Sequence, residues 1–350
     1  MNNRMPDEPE LVIGVDTHKH THTAAVVDTT TGAQMDAIEI AAEVAGYERL
    51  LAQVPDRPRV WAIEGAGAYG AGLARWLAAR GETVLEVERP RRPARHHGAK
   101  TDQIDAVRAA REVLAAEHPA TPKQGGVRAA LATRLSARRS AVEAAADAQR
   151  QLQSMVVTAP EPLRGKLAKL RTQALIDRCR RLRVHSSHDL ETLETIQVLR
   201  RLAGRIRDLE IEAREHEHAL RRLVTDWRPD LLKQLGVGPV TAATILCSWS
   251  HAGRIRDEGA FARLAGVAPI PASSGKTNRH RLSRFGDRQH NRALHTIVIC
   301  RLQHDPATRA YAQRRRAEGK SDREIKRCLK RYIARQLYRQ LEAPPLAAAT

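Results

Sequence analysis

Four carboxylates stand where a fold could bring them to one point. Asp16 closes the apolar run Leu11–Asp16 (LVIGVD), and Glu64 closes a second, Arg59–Glu64 (RVWAIE). Asp102 and Asp105 lie three positions apart in KTDQIDA, a spacing that puts both on one face of a helix. Hard cations take oxygen ligands, so four carboxylates on three elements could hold one or two Mg²⁺ (or Mn²⁺) ions. Such ions orient or activate one oxygen of a phosphoryl-transfer reaction and neutralise another. Taken singly, each acid also has an ordinary role. Asp102 and Asp105 could complement a helix dipole, Asp16 could cap a turn, and Glu64 could be a surface residue beside a Gly-rich turn. Their joint order and element types favour the metal site. His18, His20 and His22 alternate just after Asp16. In a strand they would share a face and suit zinc, but the polarity of the turn accounts for them and no fourth ligand is evident.

The elements that must position these acids read as α/β. Leu11–Asp16 and Thr21–Asp28 are joined by a short turn, a hairpin pattern. Gly46–Gln53 has helical spacing, Arg59–Glu64 is a buried-type strand, and Tyr69–Arg80 is an amphipathic helix stopped by Gly81. Glu82–Val87 is a further strand. Pro90–Lys100 is a basic loop with two prolines, and Thr101 is placed to cap the helix that starts at Asp102. Residues 126–225 are rich in Arg, Ala, Leu and Glu, with apolar residues at three- and four-residue spacing. Long helices are expected there, as a bundle or a coiled coil. From Trp227 a third region begins. LLKQLGVGPVTAATIL has the pattern of a helix-hairpin-helix, in which backbone amides at a helix N-terminus meet a phosphate, or of an ordinary helix–turn–helix core. The expected layout is a flexible start (1–10), an α/β domain (11–120), a helical region (121–226), a C-terminal domain (227–340) and a tail (341–350).

Hydrophobic residues make up 42% of the 350, enough to build cores rather than a disordered chain. Aromatics make up only 3%, which argues against base stacking as the main mode of nucleic-acid binding. The formal charge of +19 favours a polyanionic partner. It is concentrated: residues 276–340 hold 19 Lys and Arg against 5 Asp and Glu. Cys179, Cys247, Cys300 and Cys328 form no CxxC pair, so reduced thiols are expected rather than a disulfide frame or a zinc site. The N-terminal residues have no apolar signal core, and no run is long enough to span a membrane. A cytoplasmic, bacterial, nucleoid-associated protein is the expectation.

GVDTHK, AIEGAGAYG, KTDQIDA and the later block LAGVAPIPASSGK…RLSRFGDRQHNRALH together resemble the DEDD-type insertion-sequence transposases. That family includes the RNA-guided bridge recombinases and the pilin-gene inversion recombinase. The resemblance covers about residues 11–115 and 227–305. It implies a RuvC-like (ribonuclease H-like) N-terminal nuclease domain, a helical linker and a C-terminal helical transposase domain. The family's four acids fall on Asp16, Glu64, Asp102 and Asp105. Its catalytic serine falls in Ser273–Ser274–Gly275: Ser274 directly precedes the glycine, and Ser273 is the alternative. Read without the resemblance, these serines make an ordinary polar turn.

Lys276, Arg279 and Arg281 follow closely enough to steady phosphate charge, and Arg284, Arg288, Arg292, Arg314, Arg315 and Arg316 extend the expected nucleic-acid contacts. The implied reaction is attack of the serine on a DNA phosphodiester, followed by rejoining to another strand. The implied partners are DNA, a structured guide RNA and further copies of the chain, as a dimer pairing into a tetramer. The competing readings are a metal-dependent junction resolvase and a non-catalytic nucleic-acid-binding protein.

Overall fold

The apolar runs of the N-terminal third pair into one sheet in a computed structural model of the chain, which describes residues 9–87, 101–271, 280–281, 283 and 285–344. In chain order the elements are β1 (Leu11–Thr17), β2 (Thr21–Asp28), β3 (Gln34–Ala41), α1 (Val44–Gln53), β4 (Arg59–Glu64), α2 (Ala71–Ala78), β5 (Val84–Val87) and α3 (Asp102–Ala115). The sheet order is β3-β2-β1-β4-β5. β1–β2 and β2–β3 pair antiparallel, whereas β1–β4 and β4–β5 pair parallel. The first strand is therefore central, as a ribonuclease H-like sheet requires. Alternation divides the strands between two cores. Ile13, Val15, Trp61 and Ile63 pack with Tyr47 and Leu50 of α1 and Leu73 and Leu77 of α2. Val12, Val60 and Ala62 pack with Ala106, Ala109, Ala110 and Val113 of α3 on the other face.

β3 is not among the expected strands. Its first half is exposed, and only Ile38 and Ile40 carry the alternation that marks a half-buried strand.

The chain divides into two compact units, Met1–Gly125 and Gly126–Thr350. The second is largely helical: α4 (Gly126–Thr158), α5 (Leu163–Leu167), α6 (Thr172–Arg180), α7 (Leu190–Trp227), α8 (Pro229–Leu232), α9 (Pro239–Trp249), α10 (Glu258–Leu264), the short strands β6 (Ile270–Pro271) and β7 (His280–Arg281), α11 (Arg288–His304), α12 (Pro306–Ala317) and α13 (Asp322–Glu342). α4 and α7 run antiparallel. Leu131 joins Leu220 and Val224 in one core, while Leu152 and Val156 join Ile196, Leu199 and Ile206 in another. The first of these cores continues through α9, α10, α11 and α13. A buried ion pair ties its ends: Arg228 donates to both carboxylate oxygens of Asp230 (2.9 and 2.8 Å) and to the carbonyls of Gln340 and Leu341. No helix among the described residues is long and apolar enough to cross a membrane.

Candidate active site

The site is built at the C-terminal ends of β1 and β4. The parallel register runs from Leu11 opposite Arg59 to Val15 opposite Ile63. Asp16 and Glu64 are the next residue on each strand. Both therefore continue the face of Val12, Gly14, Val60 and Ala62, which is the face α3 covers. Thr17 fastens the two strand ends, its Oγ1 donating to the Glu64 carbonyl at 2.8 Å. Thr23 of β2 lies opposite Asp16 in the antiparallel ladder and is buried.

α3 supplies the second wall. Thr101 caps it, with Oγ1 accepting from the Ile104 amide at 3.3 Å. Its small residues Ala106, Ala109 and Ala110 are buried against the sheet. The approach is close because β1 carries Gly14: a Cβ there would lie 1.9 Å from the Ala106 carbonyl oxygen and 2.7 Å from the Ala110 amide nitrogen. Only a residue without a side chain lets the helix backbone rest on the strand. One helical turn before Ala106 is Asp102, and two residues after Gly14 is Asp16. The contact at Gly14 thus sets the meeting of the two acids.

They do meet, with a histidine between them. Ligand atoms of Asp16, His18 and Asp102 all lie within 4.8 Å of one another. His18 Nδ1 is 3.9 Å from Oδ2 of Asp16 and 3.9 Å from Oδ2 of Asp102. Asp16 is largely sheltered, with 13% of its side chain exposed, whereas Asp102 is open at 53%. Asp105 sits three residues on in the same first turn, is 17% exposed and pairs with Arg108. The oxygen-rich donor set, with one imidazole beside it, fits a divalent cation. Donors about 2.1 Å from one ion stand about 3 to 4.2 Å apart, and the His18 distances fall in that range.

The three alternating histidines do not share a face. His18 and His20 lie in the turn, and His20 is exposed. His22 is fully buried on β2, stacked on Tyr47, with Nδ1 2.9 Å from the Thr21 carbonyl. Burial lowers its pKa, partly offset by that hydrogen bond. It packs on the side away from α3, in place of the shared ligand face that a continuous strand would give. The sequence offers His18 only as one of three alternating histidines, because nothing in its spacing shows that the end of β1 meets the first turn of α3.

The second motif block forms a separate construction in the other unit. Gly286, at φ +103°, abuts Gly266: a Cβ on Gly286 would stand 2.6 Å from the Gly266 amide nitrogen and 2.7 Å from the Leu264 carbonyl oxygen. The Asp287 amide donates to the Leu264 carbonyl at 2.7 Å, and Asn291 Nδ2 donates to the Ala265 carbonyl at 2.7 Å. Lys330 Nζ then donates to Asn291 Oδ1 at 2.8 Å. LAGVAP and RFGDRQHN are thereby joined backbone to backbone, and β6 and β7 pair beside them. Ser273, Ser274, Lys276, Arg279 and Arg284 lie outside the described residues. Arg281 is exposed on β7, and Arg288 and Arg292 are exposed on α11. Arg314 and Arg315 pair with Glu318, and Arg316 pairs with Asp322 at 2.7 Å. His290, inside the same block, is fully buried. Its Nδ1 is 3.0 Å from Ser248 Oγ, its ring packs on Phe261, and burial pushes its pKa down to about 4.

The segment expected to form a hairpin between helices is present as α8, a glycine turn and α9. Gly236 in that turn, at φ +87°, lies against Ile297 and Cys300 of α11.

Comparison with known proteins covers both blocks. Residues 13–159 match a transposase family model, that of the DEDD transposases of IS110 type. Residues 230–313 match the transposase IS116/IS110/IS902 family. A protein of insertion element IS110 from Streptomyces coelicolor, described as an uncharacterized 43.6 kDa protein, is 35% identical over 94 residues. That alignment covers 27% of this chain and 23% of the relative's length. The first family match contains the four acids and ends just past α4, and the second contains the interlocked glycine motifs and the serines; the two blocks, in this order, match the DEDD-type IS110 transposases.

Proposed function

We propose that this chain is a DNA recombinase that cleaves and rejoins strands through Ser274, with Asp16, Glu64, Asp102 and Asp105 holding Mg²⁺ or Mn²⁺ beside the scissile phosphate. The observation that carries this is the meeting of Asp16 and Asp102 on the sheet face that Glu64 shares. In this reading residues 11–120 are a RuvC-like nuclease domain and residues 227–340 a transposase domain. Residues 121–226 are the helical element through which copies pair, first as dimers and then as a tetramer. α8 and α9 offer backbone amides to phosphate in the manner of a helix-hairpin-helix.

Divalent ions, when bound, would neutralise charge on the phosphate and lower the proton affinity of an attacking hydroxyl. The remaining chemistry belongs to the chain. Ser274 Oγ bonds to phosphorus as the phosphorus–oxygen bond of the DNA breaks. The serine proton passes to a carboxylate, and the departing DNA oxygen takes up a proton. The products are a phosphoserine diester and a free DNA hydroxyl. A hydroxyl from another strand then attacks the diester, which restores the serine and joins the strands with no external energy source. No acid lies between Glu258 and Asp287 in the sequence, so the accepting carboxylate comes from elsewhere in the fold, on the same chain or a partner. Lys276, Arg279 and Arg281 balance the added charge of the transition state. Sequence choice is left to a structured RNA that pairs with the DNA, which suits a chain rich in cations and poor in aromatics.

Denaturing electrophoresis of a cleavage reaction tests this. A protein–DNA adduct is expected, and it disappears in Ser274→Ala. Free fragments without an adduct would mark a hydrolytic resolvase, and binding without cleavage would mark a non-catalytic protein. Asp16→Ala and Asp102→Ala should lose cleavage with an unchanged circular dichroism spectrum; normal cleavage by either would remove the metal site from the mechanism.

A further inference from the structure

Given the metal-dependent function proposed above, we infer that His18 is itself a ligand of the bound cation, so the site takes nitrogen as well as oxygen donors and prefers Mn²⁺ to Mg²⁺. Neither the spacing of the four acids nor the chemistry they require calls for a histidine. The geometry does. His18 lies just past the end of β1, where the turn is fixed by its own amide donating to the Thr21 carbonyl at 3.0 Å. This holds the ring over the gap between strand and helix, with Nδ1 equidistant from Asp16 and Asp102 at 3.9 Å. A cation about 2.1 Å from each donor would fit between all three after small side-chain rotations.

The neighbouring histidines make the assignment specific. His20 is exposed and outside the cluster, and His22 is buried in the opposite face of the sheet against Tyr47. Among the described residues, His18 alone brings an imidazole to the two acids. Carboxylates alone suit Mg²⁺, Ca²⁺ and Mn²⁺, whereas an imidazole shifts preference towards transition ions. The competing account of the same distances is simple attraction between a charged imidazole and two carboxylates, in which the nitrogen would not touch the ion.

Electron spin echo envelope modulation on the full-length protein loaded with Mn²⁺ separates the two, because a directly bonded ¹⁴N modulates the manganese signal. Wild type and His20→Ala should both show this coupling. His18→Ala should lose it and bind Mn²⁺ about tenfold or more weakly, and Mg²⁺ should then displace Mn²⁺ at a lower concentration than in wild type. His18→Asp should recover affinity without recovering the nitrogen signal. The inference fails if wild type binds Mn²⁺, loses that binding in Asp102→Asn, and yet shows no ¹⁴N coupling; the acidic site would then stand without the histidine. Coupling that persists in His18→Ala would assign the nitrogen to another residue and equally overturn it. Absence of Mn²⁺ binding in wild type would overturn both the ligand and the metal site it belongs to.

Discussion

His290 illustrates how burial fixes the state of a single side chain in the second unit. Its native pKa of about 4 lies below the ordinary 6.5 because desolvation disfavours the charged ring, against a smaller opposing pull from Asp287. The sign of the consequence is set by the unfolded chain, which takes up a proton below pH 6.5 while the native ring does not. Stability is therefore full above 6.5, falls as pH drops, and levels off below about 4. One proton of difference changes stability by about 1.4 kcal/mol per pH unit, so the step from pH 7 to pH 5 should cost about 2 kcal/mol. Urea denaturation at the two pH values checks this. His290→Gln, which cannot titrate, should be less stable at pH 7 but should lose much of the pH dependence; an unchanged slope would place the titration elsewhere. In the sequence, RLSRFGDRQHNRALH stands out for its cations. Buried His290 and half-buried Asn291 are what hold the block together, and nothing in the spacing distinguishes them from their exposed neighbours.

The acidic site depends on one contact between elements, where α3 rests on β1 at Gly14. Gly14→Ala puts a methyl group into the backbone of α3. The helix must shift, with an expected loss of about 3 kcal/mol or more. Asp102 moves with it, so Mn²⁺ affinity should fall even where the variant folds. Thermal melting and metal titration of the same preparation test both parts, and wild-type values in each would show that α3 is positioned by other contacts. The strands that carry Asp16 and Glu64 were legible because each is a short apolar run ending in an acid, and the start of α3 was legible from its Thr cap. The role of Gly14 was not, since a glycine in a strand does not say which element presses on it. β3 was missed because half of it is polar. β6 and β7 were missed because two-residue strands leave no periodicity. The long helices α4 and α7 were legible from apolar spacing, but their antiparallel pairing within one chain follows from the cores they share.

Across the whole molecule, net charge overstates how many cations are available to DNA. The excess of basic residues in 276–340 is partly balanced by local carboxylates. Arg331, Arg335 and Arg339 converge on Glu258 at 3.3, 2.8 and 3.7 Å, and Arg314, Arg315 and Arg316 pair with Glu318 and Asp322. Arg288 and Arg292 are exposed on α11 and have no carboxylate partner among the described residues. Reversing the charge of these two should therefore weaken DNA binding at least as much as reversing all three of Arg314–Arg316. Each phosphate contact removed should lower the salt dependence by about 0.9 in the slope of log affinity against log salt. Fluorescence anisotropy over a salt series measures this, and a larger loss from the triple variant would show that its ion pairs open on binding. The proposed recombination requires both the N-terminal acids and Ser274. It is tested most directly by trapping that reaction, digesting the protein and mapping the DNA-linked peptide by mass spectrometry. The account predicts a phosphodiester on Ser274 in the wild-type chain and none in Asp16→Ala. A link at Ser273 would reassign the nucleophile to its neighbour, and recombined DNA with no linked serine at either position would contradict the mechanism.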